Sequence, residues 1–181
     1  MIAGLILKDD TSKNSFLSFL GDETFCYELS TNPEIVEEIQ KKKPELLAVD
    51  SGMESGIGEF TDKEEELREE GHSFVPTSHE KMKKRRLEAL KSQLFEAMGN
   101  EAPEIIRFDP VLTSKELALD SDEALESLGV ETKNIKSAEQ FDSVLGAVTA
   151  RFYQQNQYRD KDVIVPEPLQ SGNEGSEETN S

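Results

Sequence analysis

The sequence is poor in the residues that define several classes of protein. Its 181 residues include one cysteine and no tryptophan, and only 35% of them are hydrophobic. The single cysteine, Cys26, excludes an internal disulfide, so we expect a reducing, cytoplasmic environment. We expect Cys26 itself to be a buried strand residue rather than a nucleophile.

Long hydrophobic runs are also missing. The apolar segment at the N-terminus stops at Lys8, and no stretch approaches the ~20 residues of a membrane-spanning helix. We therefore expect no signal peptide and no contact with a membrane.

The sequence has no glycine-rich phosphate loop, GxSxG motif or paired-cysteine metal site. His72 and His79 have no second ligand at zinc spacing, so we expect both to be structural or exposed.

Positive charge is scarce. Twenty lysines and arginines stand against 38 acidic residues, which gives a net charge of −18. A field of that sign repels phosphate backbones and argues against broad, non-specific nucleic-acid binding at low salt. Two alternatives remain: the protein works in concentrated salt, as in a halophile, where charges are screened, or its partner is not a polyanion.

The stretch that organises the chain is a short apolar run, Leu46 to Val49, preceded by Pro44 and followed by Asp50-Ser51-Gly52. Such a run predicts a central strand covered on both faces. Asp50 lies where that strand ends, and ligands collect at the carboxyl ends of strands in α/β sheets. The simpler alternative is that Asp50 is a turn residue that closes its own strand.

Hydrophobic periodicity and turn residues predict an α/β protein. The first half contains three antiparallel strands and a helix capped by Thr31 or Asn32, followed by the strand that ends at Asp50. The strands are predicted at 1–7, 15–20 and 24–29, and the helix from Pro33 to about Lys42.

The second half is predicted to be mostly helical. Apolar residues at helical spacing and capping residues indicate two long helices and two short ones. They are predicted at 78–98, at 115–119 with Thr113 or Ser114 as cap, at 121–129, and from a capping box at Ser137 to about Tyr158. Strands are expected at 104–108 and 163–166, an exposed polar helix at 61–71, and a disordered acidic tail at 167–181 after a single domain at 1–166.

The segment from Lys81 to Arg86 carries five positive charges in six residues. This patch is a candidate contact for nucleic-acid phosphates. The simpler alternative is a solvated helix face that balances the acidic surface.

A strip of small residues headed by a carboxylate lies on the last long helix, at Asp142, Gly146 and Thr149. A strip without bulk lets the helix lie close to a sheet, which would bring Asp142 to a strand end. Carboxylates brought together in this way bind Mg²⁺, and two such ions can support phosphoryl transfer. Asp50 and Asp142 are the predicted catalytic pair and metal ligands, with Asp62 and Asp109 as further candidate ligands. The simpler alternative for Asp142 is a first-turn acid favoured by the helix dipole.

Several segments, in order along the chain, resemble a family of RNase H-like predicted nucleases, the domain-of-unknown-function family 429. Residues 47–53 (LAVDSGM) resemble its "IDAPL" strand end, and residues 62–72 resemble its "CDRELRRRG" helix. Residues 105–110 resemble its "IEVYP" strand, residues 140–150 resemble "ELDALVAALTA", and residues 163–166 match its closing strand.

The resemblance implies an RNase H-like core, a mixed five-stranded sheet with its first three strands antiparallel and helices on both faces. It also implies a Mg²⁺- or Mn²⁺-dependent phosphodiesterase site with carboxylates on strand one, strand four and the last helix. Asp50 and Asp142 match the second and third of these. The first is replaced by Ile6, the family's arginine before "CD" is Glu59, and the glutamate of "IEVYP" is Arg107.

Three hypotheses follow. The chain is an active or weakly active nuclease that uses Asp50 and Asp142, or a non-catalytic relative that keeps the fold and works as a binding or scaffold protein. A third alternative is an unrelated α/β binding protein whose acids are only surface residues. The substitutions at Ile6, Glu59 and Arg107 favour the second hypothesis, and we expect Arg107 to pair with Asp50 or Asp109.

Overall fold

The computed structural model describes residues 1–50, 69–71 and 80–167. Several predictions lie outside these ranges. They concern most of the polar helix at 61–71, the tail from residue 168 onward, and the residues Glu59, Asp62, His72 and His79.

A mixed five-stranded sheet forms the centre of the described part of the chain. Its strands are β1 (Ile2–Ile6), β2 (Ser15–Leu20), β3 (Thr24–Leu29), β4 (Leu46–Asp50) and β5 (Glu104–Arg107), in the order β3-β2-β1-β4-β5. β1 and β2 are antiparallel, as are β2 and β3, whereas β1, β4 and β5 run parallel. This arrangement confirms the predicted fold class.

Helices cover both faces of this sheet. Their bounds are α1 (Asn32–Lys42), α2 (Glu80–Met98), α3 (Pro110–Leu117), α4 (Asp122–Ser127) and α5 (Ala138–Gln154), with a 3₁₀ turn at Gly99–Glu101. Because strand side chains alternate between faces, Leu5 and Val49 belong to the apolar cluster under α1 and α2. Ile6 and Ala48 belong to the cluster under α5.

Two helix starts follow the predicted capping chemistry. Thr31 caps α1, and its hydroxyl and the Glu34 carboxylate form a complete capping box. Ser137 caps α5 by accepting the Gln140 backbone N–H. The predicted capping box at Ser137 is only half formed, because the Gln140 side chain accepts the N–H of Lys136 at 2.7 Å instead.

The predicted start of the short helix at residue 115 is wrong. α3 begins at Pro110, and Asp109 is its N-cap, accepting the Leu112 N–H at 2.9 Å. Proline at the first helical position has its φ angle fixed at a helical value and lacks an N–H that would otherwise need a partner. Thr113, one of the predicted caps, is buried and its hydroxyl lies 2.7 Å from that of Thr149 on α5.

The end of the last helix also differs from the prediction. α5 ends at Gln154, and Tyr158 begins a strand, β6 (Tyr158–Asp160), that pairs with β7 (Ile164–Pro166) in an antiparallel hairpin. The predicted final strand therefore exists, but it pairs with β6 in a separate two-stranded sheet and not with the five-stranded sheet. Glu167, the first residue of the predicted tail, donates its backbone N–H to Gln157 at 3.0 Å.

None of the helices in the described ranges has the length and apolar character needed to cross a bilayer.

The approach of α5 to the sheet is close enough to require glycine on both sides. A Cβ added at Gly4 of β1 would overlap the Ser143 carbonyl oxygen and the Ala147 nitrogen of α5. A Cβ at Gly146 would lie 2.6 Å from the Phe108 ring and 3.1 Å from the Gly4 Cα. The small-residue strip thus lets α5 lie close to the sheet, as expected from the sequence.

Candidate functional site

The candidate site lies at the carboxyl ends of β1 and β4. These parallel strands are in register so that Ile6 stands opposite Asp50. Ile6 is only 5% exposed and packs in the apolar cluster under α5. At the position where the family resemblance implies a first carboxylate, the structure therefore contains buried hydrocarbon.

Asp142 reaches the same end of the sheet from the second turn of α5. Burial is the main cause of its raised pKa, and the negative charges of Asp50, Glu139 and Asp109 raise it further. The positive charge of Lys8, just after β1, acts in the opposite direction. The charge of Asp50 therefore acts on Asp142 at this end of the sheet, although their predicted catalytic role stays a prediction.

Lys83 supplies positive charge at this site. Its ammonium group lies 3.1 Å from Oδ2 of Asp50, and the two side chains are only 21% and 18% exposed. α2 packs on the face of the sheet opposite to α5 through Leu87 and Leu90. Lys83 therefore reaches Asp50 from the face of the sheet opposite to the one that carries Asp142.

The other two candidate metal ligands have different outcomes. Asp109 follows β5 and lies close enough to influence Asp142, but its side chain caps α3. Asp62 lies outside the described residues. The expected pairing of Arg107 with Asp50 or Asp109 stays a prediction.

The described residues do not fit a two-metal site. Among them, no group of three or more histidine, cysteine, aspartate or glutamate side chains is placed to hold a metal ion. Ile6 offers no oxygen ligand, Asp50 is ion-paired with Lys83, and one oxygen of Asp109 accepts a helix N–H. The two-ion mechanism needs carboxylates that clamp both ions, and this arrangement lacks them.

A recess of about 430 Å³ opens beside Asp142, between α3 and α5. Its walls are largely apolar, and Val111 is 69% exposed at its edge. Lys115 and Asp120 contribute opposite charges to its lining. Asp142 is thus accessible from this recess although it is half-buried.

The positive patch predicted at Lys81–Arg86 is divided by the fold. Arg86 is 8% exposed and donates to the backbone oxygens of Lys8, Asp10 and Ser30 at 2.8–3.0 Å and to the Asn32 side chain at 2.9 Å. Lys83 is engaged with Asp50, whereas Lys84 and Arg85 are exposed. The patch is therefore smaller than its sequence suggests.

Sequence reasoning missed the roles of Lys83 and Arg86. A signal was present, because each stands four residues before a buried leucine, Leu87 or Leu90, and so lies on the inward face of α2. Basic residues that continue an apolar stripe past its end are candidates for contacts with strand ends and loops.

Comparisons with known proteins support the fold. No protein-family model matches the chain, and no curated protein matches it. A structure of Thermus thermophilus RuvC in complex with a Holliday junction substrate is similar over 91% of this chain and 98% of that chain, with 13% identity and a TM-score of 0.55. A second Thermus thermophilus RuvC structure has 12% identity over the same shares and a TM-score of 0.49. At 13% identity the first likeness shows the RNase H-like fold alone, and membership of the resembled family stays a prediction.

Proposed function

We propose that this chain is an RNase H-like protein of nuclease ancestry that has lost phosphodiester hydrolysis and works as a non-catalytic binding or scaffold protein. The observation that carries the proposal is the pair of residues in register at the ends of β1 and β4. Ile6 is buried where an acid would be needed, and Asp50 beside it is neutralised by Lys83.

The chemistry of metal-dependent hydrolysis explains why this pair matters. Mg²⁺ is bound by oxygen ligands in near-ideal octahedral geometry. A hydrocarbon side chain supplies no ligand, and an ammonium group at a carboxylate oxygen repels an incoming cation. Both changes act on the same end of the sheet, so they reinforce each other.

The alternative is a Mg²⁺- or Mn²⁺-dependent nuclease that uses Asp50 and Asp142. One observation favours it, namely that these two carboxylates lie near enough for the charge of Asp50 to raise the pKa of Asp142. The RuvC structure with its Holliday junction substrate makes a four-way DNA junction the first nucleic acid to test. Lys84 and Arg85, exposed on α2, are the candidate phosphate contacts in this alternative.

The deciding experiment incubates the purified full chain with labelled four-way junction, duplex DNA, single-stranded DNA and RNA, in EDTA, Mg²⁺ or Mn²⁺. We expect no metal-dependent cleavage of any substrate. The matched control is Asp50→Asn, which separates intrinsic activity from a contaminating nuclease. Cleavage by the wild-type chain that disappears in both Asp50→Asn and Asp142→Asn would overturn the proposal.

A further inference from the structure

We propose that Lys83 is a tethered cation that takes the place of a divalent metal ion at the end of β4. Its ammonium group lies 3.1 Å from Asp50 and supplies a positive charge there without any bound metal. This inference rests on the proposed loss of the metal site and adds the device that replaced it.

The first observation is the balance of charge at the site. Asp50 and Asp142 are both partly buried, and the negative charges of Asp50 and Asp109 act on Asp142. Like charges at short range and in partial burial repel each other more strongly than they would in water. Lys83 lies 3.1 Å from Asp50, and Lys8 influences Asp142, so each carboxylate has a positive charge near it.

The second observation is that the backbone carrying Lys83 is held firmly in place. Arg86, one helical turn further along α2, donates hydrogen bonds to the backbone oxygens of Lys8 and Asp10, which follow β1. The Asn32 side chain at the start of α1 in turn donates to the Arg86 carbonyl oxygen at 3.2 Å. The first turns of α2 are thereby fixed to the strand end at which Asp50 lies, so the ion pair is built into the packing.

The chemical consequence follows from what an ammonium group lacks. It carries one positive charge and three N–H donors, but it has no exchangeable coordination positions for a phosphate or a water nucleophile. A site closed by lysine is therefore stable without metal and inert as a Lewis acid. Removal of the lysine leaves two carboxylates whose charges interact, a number with which Mg²⁺ can bind while it keeps several waters.

The test compares thermal unfolding of the full chain in EDTA and in Mn²⁺, for the wild type, Lys83→Ala and Lys83→Ala/Asp142→Asn. We expect the wild-type midpoint to be the same in both solutions. Lys83→Ala should unfold about 4 °C lower in EDTA and recover at least about half of that loss in Mn²⁺. The double variant should lose the response to Mn²⁺.

Three further variants complete the design. Lys83→Gln keeps the length of the side chain and some of its hydrogen bonding, so it provides a second neutral variant should Lys83→Ala fold poorly. Lys91→Ala removes an exposed helix pair with Glu88 and serves as the control for loss of one positive charge. Lys83→Arg should behave as the wild type, because it restores the cation.

The outcomes separate this inference from the proposed function. A wild-type midpoint that rises in Mn²⁺ as much as that of Lys83→Ala would overturn the inference, as would the absence of a response in both neutral variants. Metal-dependent cleavage by the wild type would instead overturn the proposed function, whatever the unfolding curves show.

Discussion

At the scale of single residues, the most consequential side chain is the buried Arg86. Burial lowers the pKa of its guanidinium, which shows that taking this charge out of water has a cost. Four hydrogen bonds to oxygens of the segments after β1 and β3 and of Asn32 compensate that cost. The planar guanidinium presents five donors in a fixed fork, and lysine cannot reproduce that geometry.

We predict that Arg86→Lys lowers the free energy of unfolding by about 3 kcal/mol, because several partly buried backbone oxygens lose their donor. Urea unfolding followed by circular dichroism measures this change. The neighbouring Arg85 is exposed, so Arg85→Lys is the matched control and should change stability by less than about 0.5 kcal/mol. Equal effects of the two substitutions would contradict the central role given to Arg86.

Asp142 makes stability depend on pH in a direction opposite to that of most aspartates. Its pKa in the folded protein is raised above the ordinary value of 3.8 by burial and by neighbouring negative charges. Between the unfolded and the folded pKa the folded state binds more protons, so the free energy of unfolding falls as pH rises through that window. The full cost is present at pH values above the folded pKa.

We predict that Asp142→Asn is more stable than the wild type at pH 7, because asparagine carries no charge to be buried. The advantage should shrink as pH falls and vanish below the ordinary aspartate pKa of 3.8. Urea midpoints measured from pH 7 to pH 4 test this trend. Asp22→Asn, in the exposed loop between β2 and β3, is the control, and a wild type more stable than Asp142→Asn at pH 7 would refute the assignment.

At the scale of elements, the contact between β1 and α5 determines where the candidate site lies. Gly4 and Gly146 face each other, and any side chain at Gly4 would run into the backbone of α5. Backbone cannot move aside as a flexible side chain can, so the helix itself would have to shift. Such a shift would carry Asp142 away from Asp50.

We therefore predict that Gly4→Ala lowers the free energy of unfolding by about 3 kcal/mol, at the upper end of what overpacking costs. Chemical unfolding measures the loss. Gly21→Ala is the matched control, because its added Cβ would meet only the end of the Met1 side chain at 3.4 Å. Equal stability of Gly4→Ala and Gly21→Ala would contradict the close contact between α5 and β1.

Much of this architecture is predictable from the sequence, for identifiable reasons. Strands β2 and β3 occur at the predicted residues, since their apolar runs are bounded by turn residues on both sides. The close approach of α5 to β1 follows from the small-residue strip that contains Gly146. The capping role of Asp109 was not predicted, because Asp109-Pro110 both follows β5 and begins α3, and the predicted caps were Thr113 and Ser114.

Other features were beyond local reasoning. The strand β6 has only three residues, which is too few to show an alternating pattern. The end of α5 depends on Asn156, which adopts a left-handed conformation with φ of 57°. The Lys83–Asp50 pair joins residues 33 positions apart, and only the packing of α2 on the sheet brings them together.

At the scale of the whole molecule, the fold and the net charge favour different kinds of partner. The RNase H-like fold is shared with a protein that was solved with a DNA junction, whereas a net charge of −18 repels a polyanion. Part of the positive charge of the Lys81–Arg86 segment is engaged in contacts within the molecule, through Lys83 and Arg86. The charge balance thus favours a partner other than nucleic acid, or a solution salty enough to screen the field.

The same charge predicts how stability responds to salt. Self-repulsion of a strongly charged chain destabilises the compact state, and the screening length falls from about 30 Å at 0.01 M to about 3 Å at 1 M salt. We predict that the free energy of unfolding at pH 7 rises steadily from 0.01 to 1 M NaCl. The control is the same salt series near pH 4.5, the isoelectric point of the sequence, where self-repulsion is small and the slope should flatten. A slope at pH 7 no steeper than that at pH 4.5 would show that the acidic residues are spaced widely enough not to oppose folding, and the halophilic interpretation would lose its physical basis.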